Sequence, residues 1–205
     1  LKPTPRSWLN NGIMMKNFND GFIDVIDNFL PKYTFQRIQE LVLSTDFFWH
    51  WTENDYNEAD PTLKNIKEQD IGTYMMSHVL YIPHKETSPL YKSFLPITDS
   101  VREHGYSTIR PLKFKLNMYT NQGKHNHLAK HKDFYEVDKS EKFITGVLGL
   151  TNDNGATVIG DKEFKTKENT MVLFDGNLLH GGYTQTDTKR RVILNVNYEV
   201  RKWVN

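Results

Sequence analysis

The 205-residue chain carries 26 basic and 25 acidic residues, a formal net charge of +1, with 38% hydrophobic and 13% aromatic residues. Such a composition is globular rather than disordered and long enough for a single domain with a sizeable core. Its near-zero charge lacks the overall field that marks a polyanion binder. With no cysteine, the chain excludes disulfides, zinc–thiolate sites, iron–sulfur clusters and cysteine nucleophiles, so any metal must be held by His, Asp or Glu. No apolar run reaches the roughly 20 residues of a membrane span, and the longest, Ile144 to Leu150, is interrupted by Thr and Gly. The opening Leu-Lys-Pro-Thr-Pro has no apolar signal-type segment, so a cytoplasmic location is the expectation.

In chain order, residues 1–20 are polar and punctuated by Pro3, Pro5 and Gly12, and read as an arm. Phe22 to Leu30 is β-rich and stops at Pro31. Ile38, Leu41 and Val42 recur at helical spacing, which predicts a helix over 32–44. Phe47 to Trp51 reads as a short aromatic strand, 53–70 as a charged loop or a lid over a site, and Ile71 to Tyr81 as one or two strands. Leu90, Phe94, Ile97 and Val101, after the capping pair Ser88-Pro89, predict a second helix over 88–104 that ends at Gly105. The remainder is strand material: 107–119, 131–137, 141–151, 155–160, 163–166, 170–175, 177–181 and 189–200. Turn signals fall at Asn121-Gln122-Gly123, Asn152 to Gly155, Asp175-Gly176 and Gly181-Gly182. The fold class expected is mainly β with flanking helices: a double-stranded β-helix (jelly roll) backed by two helices. One domain, 1–205, would comprise the arm (1–20), a helix-bearing support (21–106) and a jelly-roll core (107–205).

Chemistry concentrates in the second half. His131-Lys132-Asp133 on extended backbone puts an imidazole and a carboxylate on one side, because residues i and i+2 share a strand face. His180 can return to the same point if the intervening chain runs out and back. Two histidines and one carboxylate with open positions opposite describe a non-haem Fe(II) site. An arginine downstream, Arg191 or its rival Arg190, offers a fixed bidentate cation for a dicarboxylic co-substrate. Alternation sends Lys113, Lys115, Asn117 and Tyr119 to one face of their strand, and Arg191, Ile193, Asn195 and Asn197 to one face of theirs. The apolar faces then pack on the helices and the polar faces line a barrel mouth. His125 and His127 lack the glutamate spacing of a cupin or zincin site and read as loop residues. Trp49, His50 and Trp51 read as core or rim aromatics. No nucleotide-binding glycine loop or G-x-S-x-G elbow is present.

The combination Asn154-Gly155-Ala156-Thr157, Met171 to Gly182 with His180, and a basic residue opening the strand Arg191 to Tyr198 resembles the Fe(II)/2-oxoglutarate-dependent dioxygenase superfamily. The likeness is to the small prolyl-4-hydroxylase-like branch found in phage and bacterial genomes, and it spans roughly residues 107–200, with a looser match at Val25 to Pro31. It implies iron held by His131, Asp133 and His180, and the distal carboxylate of 2-oxoglutarate held by Arg191. Asn117-x-Tyr119 is similar to the N-x-Y that the DNA-alkylation-repair members present to the co-substrate. Asp133 stands where related halogenases carry a small residue, so hydroxylation of an unactivated C–H is implied, with 2-oxoglutarate and O₂ consumed and ascorbate as an accessory reductant. The implied substrate is a protein or peptide side chain, as for prolyl hydroxylases, or a small molecule. The location would be the host cytoplasm if the chain is phage-encoded. Two other readings stand beside it. One is a nucleic-acid dioxygenase (demethylase or base hydroxylase), which would need a basic groove formed by Lys113, Lys115, Lys124, Lys130 and Lys132. The other is a non-enzymatic jelly-roll binding module.

Overall fold

The computed structural model describes residues 9–10, 13–14, 20–52, 74–133 and 142–200. The strands are β1 (Leu9–Asn10), β2 (Ile13–Met14), β3 (Ile23–Ile26), β4 (His50–Thr52), β5 (Met75–Ile82), β6 (Lys85–Glu86) and β7 (Thr108–Thr120), followed by β8 (His127–His131), β9 (Lys142–Gly149), β10 (Ala156–Ile159), β11 (Lys162–Lys165), β12 (Met171–Asp175), β13 (His180–Tyr183) and β14 (Arg190–Val200). Two α-helices, α1 (Lys32–Leu43) and α2 (Leu95–Glu103), lie in the first half.

The strands form two antiparallel sheets besides the small β1–β2 pair. The larger runs β3-β12-β9-β14-β7-β5-β4, with β6 on β5, and the smaller runs β11-β10-β13-β8. Strands β3 and β5 hydrogen-bond directly to β12 and β7, so the first half of the chain extends the larger sheet as well as supplying helices. The jelly-roll expectation is met, with the alternation of β7 and β14 deciding which face goes where. Phe114 and Leu116 with Val192, Leu194, Val196 and Tyr198 pack against Phe35, Ile38 and Val42 of α1 and Ile97 and Val101 of α2. On the opposite face Tyr119, Val147, Val172, Phe174 and Ile193 meet Ile159 of the smaller sheet, and a second core forms between the sheets. Burial of these side chains stabilises by about 1.5–3 kcal/mol each before chain entropy is counted.

Helix α1 spans the predicted segment one residue short. The second predicted helix splits. Ser88 caps it by accepting from the Leu90 N–H, as expected, but Pro89–Phe94 is a 3-10 turn and the α-helix starts only at Leu95. Pro96 is the cause: it has no N–H to give the preceding turn, and its ring is tolerated only in the first turn of an α-helix. Gly105 ends α2 with φ +92.

Three strand expectations shift. Strand β8 ends at His131 rather than beginning there, and the predicted 134–137 extension lies outside the described residues. The aromatic strand forms at His50–Thr52. Gly181-Gly182, expected as a turn, instead sits inside β13 between β10 and β8. A Cβ on Gly182 would stand 2.3 Å from the Ala156 carbonyl oxygen, so these glycines permit close approach of neighbouring backbones rather than a reversal. Most of the expected arm and the whole 53–70 loop fall outside the described residues. Among the described residues no helix is long and apolar enough to cross a membrane.

Candidate metal centre

Strands β8 and β13 pair in register with His131 opposite His180, and the two rings lie 4.7 Å apart between centroids. Beyond the end of β8 the chain bends so that Asp133 comes back to the same point. Its Oδ1 is 3.8 Å from His131 Nε2 and its Oδ2 is 3.5 Å from His180 Nε2. The three donor atoms lie within 4.8 Å of one another, and this is the one group of its kind among the described residues. Three such donors about 2.1 Å from one octahedral ion stand about 3 Å apart, so small side-chain movements close the set around a metal.

Each histidine is oriented through its other nitrogen. His131 Nδ1 lies 3.2 Å from the Ala129 carbonyl and His180 Nδ1 3.1 Å from that of Leu178. A proton donated there leaves the Nε2 lone pair free for a metal. Phe174 stands edge-on to the His180 ring at 4.9 Å. Asp133 Oδ2 accepts from Asn197 Nδ2 at 2.8 Å and Thr145 Oγ1 at 3.1 Å, and Asn197 also bonds Thr145. Burial raises the Asp133 pKa, but His180, Lys113, His131 and the Asn197 hydrogen bond outweigh it, so the value falls below the ordinary one and the group is a carboxylate. Burial pushes the His180 imidazole below its usual pKa against the attraction of Asp133, which favours the neutral ligand form. Replacing Asn197 by Ala would free Asp133 to rotate, and outer partners of this kind govern about 10- to 100-fold in metal affinity. A loss in that range is expected in an Fe(II) titration of Asn197→Ala, with the melting temperature as the control for folding.

Arg191 is only 1% exposed. Its Nε donates to Thr166 Oγ1 at 2.6 Å and its Nη2 to Thr157 Oγ1 at 3.2 Å. Asp153 Oδ1 is 3.8 Å away, with no hydrogen bond between them. Instead, the carboxylate of Asp153 accepts from Thr151 Oγ1 and the Gly155 N–H. Burial lowers the Arg191 pKa, opposed by Tyr119 and Asp153, yet a guanidinium remains a cation at neutral pH. Burial also pushes the Asp153 carboxyl up, despite Arg191, as expected of a pair too far apart for full compensation. Arg191 thus combines two neutral hydrogen-bond partners with one carboxylate at 3.8 Å, and a guanidinium so placed is chemically able to pair with a further carboxylate. Arg190, the rival, turns the other way and donates to the Leu43 carbonyl at the end of α1. Tyr119 is buried with its ring centre 5.5 Å from the Arg191 guanidinium carbon. Asn117 is buried on the same face, and its Oδ1 has no hydrogen-bond partner among the described residues.

Strand β10 links the two ends of the site. A recess between the sheets is lined by Val147, Gly149, Thr157, Thr166, Val172 and Ile193. On β10, Thr157 bonds Arg191 while Ile159, two residues along, pairs with His180. Two residues of strand cover about 7 Å, comparable to the span of a five-carbon dicarboxylate. Sequence reasoning left Thr145, Thr157, Thr166, Asp153 and Asn197 without roles. The alternation had put Asn197 on the Arg191 face, and Thr157 closes the Asn154 to Thr157 motif. Asp153 and Thr166 gave no such signal. His127 opens β8 instead of lying in a loop, and with His125 it packs on Tyr183, facing away from the metal triad. Trp51 stacks on Tyr74 and Trp49 packs on Phe47.

No family model matches the sequence, and no curated protein matches it. Solved structures do. A viral collagen prolyl hydroxylase from Paramecium Bursaria Chlorella virus-1, in complex with 2-oxoglutarate, superposes with TM-score 0.53 at 15% identity, over 88% of this chain and 96% of that one. An oxidoreductase of the 2OG-Fe(II) oxygenase family from Burkholderia pseudomallei gives TM-score 0.61 at 12% identity, over 89% and 87%.

The fold is that of the 2OG-Fe(II) oxygenases.

HygX from Streptomyces hygroscopicus, with nickel, 2-oxoglutarate and hygromycin B bound, gives TM-score 0.54 at 10% identity, over 89% and 84%. The oxygenase fold therefore covers nearly the whole chain, and it serves proteins whose substrates differ widely. At such identities the likeness is one of architecture, and the residues of the site have to make the case for chemistry.

Proposed function

We propose that this chain is an Fe(II)- and 2-oxoglutarate-dependent dioxygenase that hydroxylates an unactivated C–H of a protein side chain or a small molecule. In this reading His131, Asp133 and His180 hold the iron, Arg191 holds the distal carboxylate of 2-oxoglutarate, and Tyr119 and Asn117 line the co-substrate. The observation that carries it is a His-Asp-His donor set joined through β10 to a buried arginine whose hydrogen-bond partners are neutral and whose carboxylate partner, Asp153, stands 3.8 Å away. The chemistry supplied by the bound metal and co-substrate is oxidative decarboxylation to succinate and CO₂ coupled to oxygenation of a C–H bond.

The chain's own residues bind, orient and exclude. The backbone carbonyls of Ala129 and Leu178 fix the two imidazoles, and Thr145 and Asn197 fix the carboxylate, so the donor set is prepared before a metal arrives. His131, Asp133 and His180 would hold the metal with three protein donors, a set that would leave it able to take co-substrate and O₂ as well. The Tyr119, Val147, Val172, Phe174 and Ile193 cluster keeps the interior dry, which strengthens the Arg191–carboxylate attraction. The lysines that a nucleic-acid groove would need are divided between surfaces. Lys113 and Lys115 share the inward face of β7 with Asn117, whereas Lys130 is exposed and bonded to the Gly160 carbonyl. Lys124 lies beyond the end of β8 remote from His131.

The test is succinate release from 2-oxoglutarate by metal-stripped protein. Release is expected on adding Fe(II), with none on adding Zn(II) and loss under a chelator. No release above the metal-free background on adding Fe(II) would leave a jelly-roll protein with incidental histidines.

A further inference from the structure

Among the polar groups facing the inter-sheet space, Lys113 has no task in the proposed reaction. It is half-buried on β7 and pairs across the sheet with Asn197, whose amide holds Asp133. It makes no hydrogen bond or ion pair with any described residue, and Asp133, on whose charge it acts, has its Oδ2 already held by Asn197 and Thr145. The carboxylate on which the Lys113 charge acts among the described residues is Asp133, and a half-buried lysine can keep its ammonium within reach of a ligand.

The proposed co-substrate does not supply a counter-charge for Lys113. The two charges of the metal are matched by Asp133 and by the carboxylate that chelates beside the keto group, and Arg191 is matched by the distal carboxylate. Among the described residues, the Lys113 ammonium then has no carboxylate of its own. Beside it are two further unmet acceptors: Asn195 Oδ1 and Asn197 Oδ1 are buried with no hydrogen-bond partner among the described residues. Asn197 Nδ2 is committed to Asp133 and Thr145, so its oxygen is the end free to receive a ligand.

We propose that Lys113, with the Asn195 and Asn197 carbonyl oxygens, is the substrate-specificity site, and that it takes a small molecule carrying an acidic group next to an N–H or O–H donor. The acidic group, a carboxylate or a phosphate monoester, seats on the Lys113 ammonium, and the donor seats on the amide oxygens. A free α-amino acid presents both features on adjacent atoms. One half-buried ammonium suits one anionic group, whereas a polynucleotide or an acidic protein surface calls for an exposed array of cations. The proposal rests on the oxygenase reading above and adds the class of substrate to it.

The experiment uses full-length protein loaded with Mn(II) and 2-oxoglutarate under argon, so that binding is read without turnover. Calorimetric titrations employ matched probes: free L-amino acids against their carboxamides, and nucleoside 5′-monophosphates against nucleosides. At least one acidic probe is expected to bind about tenfold or more tightly than its neutral partner, equivalent to about 1.4 kcal/mol. Lys113→Met should remove that preference, and Lys113→Arg should restore much of it. The two arms tell a carboxylate from a phosphate ligand. Binding of 2-oxoglutarate to Lys113→Met, expected within twofold of the parent, also shows that the variant is folded. Equal binding of acidic and neutral probes, no acidic probe binding to the loaded parent, or an unchanged preference in Lys113→Met would each overturn the proposal. So would a tenfold loss of 2-oxoglutarate affinity in Lys113→Met, which would give the lysine to the co-substrate. Failure of the parent to take up Mn(II) and 2-oxoglutarate at all would be a failure of the oxygenase reading instead.

Discussion

His180→Ala is expected to abolish stoichiometric Fe(II) binding while leaving the fold intact. A protein site of four ligands is worth about 10–16 kcal/mol to a bound zinc, or roughly 3 kcal/mol per ligand, which corresponds to about 100-fold in affinity. His180 is buried beside Phe174, and the other two donors have no replacement among the described residues. The loss should therefore reach the full hundredfold. Stability should change little: the imidazole bonds one backbone carbonyl, and an exchange of this size at the inner end of a strand costs about 1–2 kcal/mol. Iron per chain by elemental analysis, after passage through a desalting column, measures the first effect, and the melting temperature measures the second. One tightly held iron per chain in His180→Ala would remove the histidine from the site.

Arg191→Met carries the second large effect, and it is selective. Truncating one partner of a buried, hydrogen-bonded charge pair costs about 2–5 kcal/mol. The 2-oxoglutarate concentration needed for half-saturation should therefore rise at least about 30-fold, with Fe(II) affinity unchanged. In the absence of co-substrate the same change should also lower stability, by up to about 3–5 kcal/mol, because it leaves the buried Asp153 without its cation. Adding Asp153→Asn to Arg191→Met should recover part of that loss without restoring co-substrate affinity. Arg191→Lys should fall between, because an ammonium keeps the charge without the planar fork. Unchanged co-substrate affinity alongside a collapse in stability would make Arg191 a structural cation.

How much of this was legible beforehand differs from residue to residue. The faces of β7 and β14 were readable because strand alternation is a local property: Lys113 to Tyr119 and Arg191 to Asn197 declare their sides within a few residues. His131, Asp133 and His180 were readable as a set because their types and order are unusual, although each alone meant little. The supports were not readable. Asn197 and Asp133 are 64 positions apart in sequence, and nothing in either segment announces a hydrogen bond that depends on how two sheets stack. Gly181-Gly182 misled because glycine marks both turns and close backbone approach, and only the neighbours of β13 decide between them. The extent of β8 was misplaced because His127 to His131 has no clean alternation. Pro96 carried the information that splits the second helix, yet it lay in an apolar pattern that reads as continuous.

The most direct measurement is an anaerobic titration of the metal-free protein with one equivalent of Fe(II) and then 2-oxoglutarate, watched by visible absorption. A keto-acid chelated to ferrous iron gives a metal-to-ligand charge-transfer band in the visible region that neither component gives alone. The account predicts that the band appears, saturates at one co-substrate per chain, is absent in His131→Ala, and needs far more 2-oxoglutarate in Arg191→Met. No band in the parent, with no iron retained, would contradict it: the His-Asp-His cluster would then not be a centre for iron and 2-oxoglutarate.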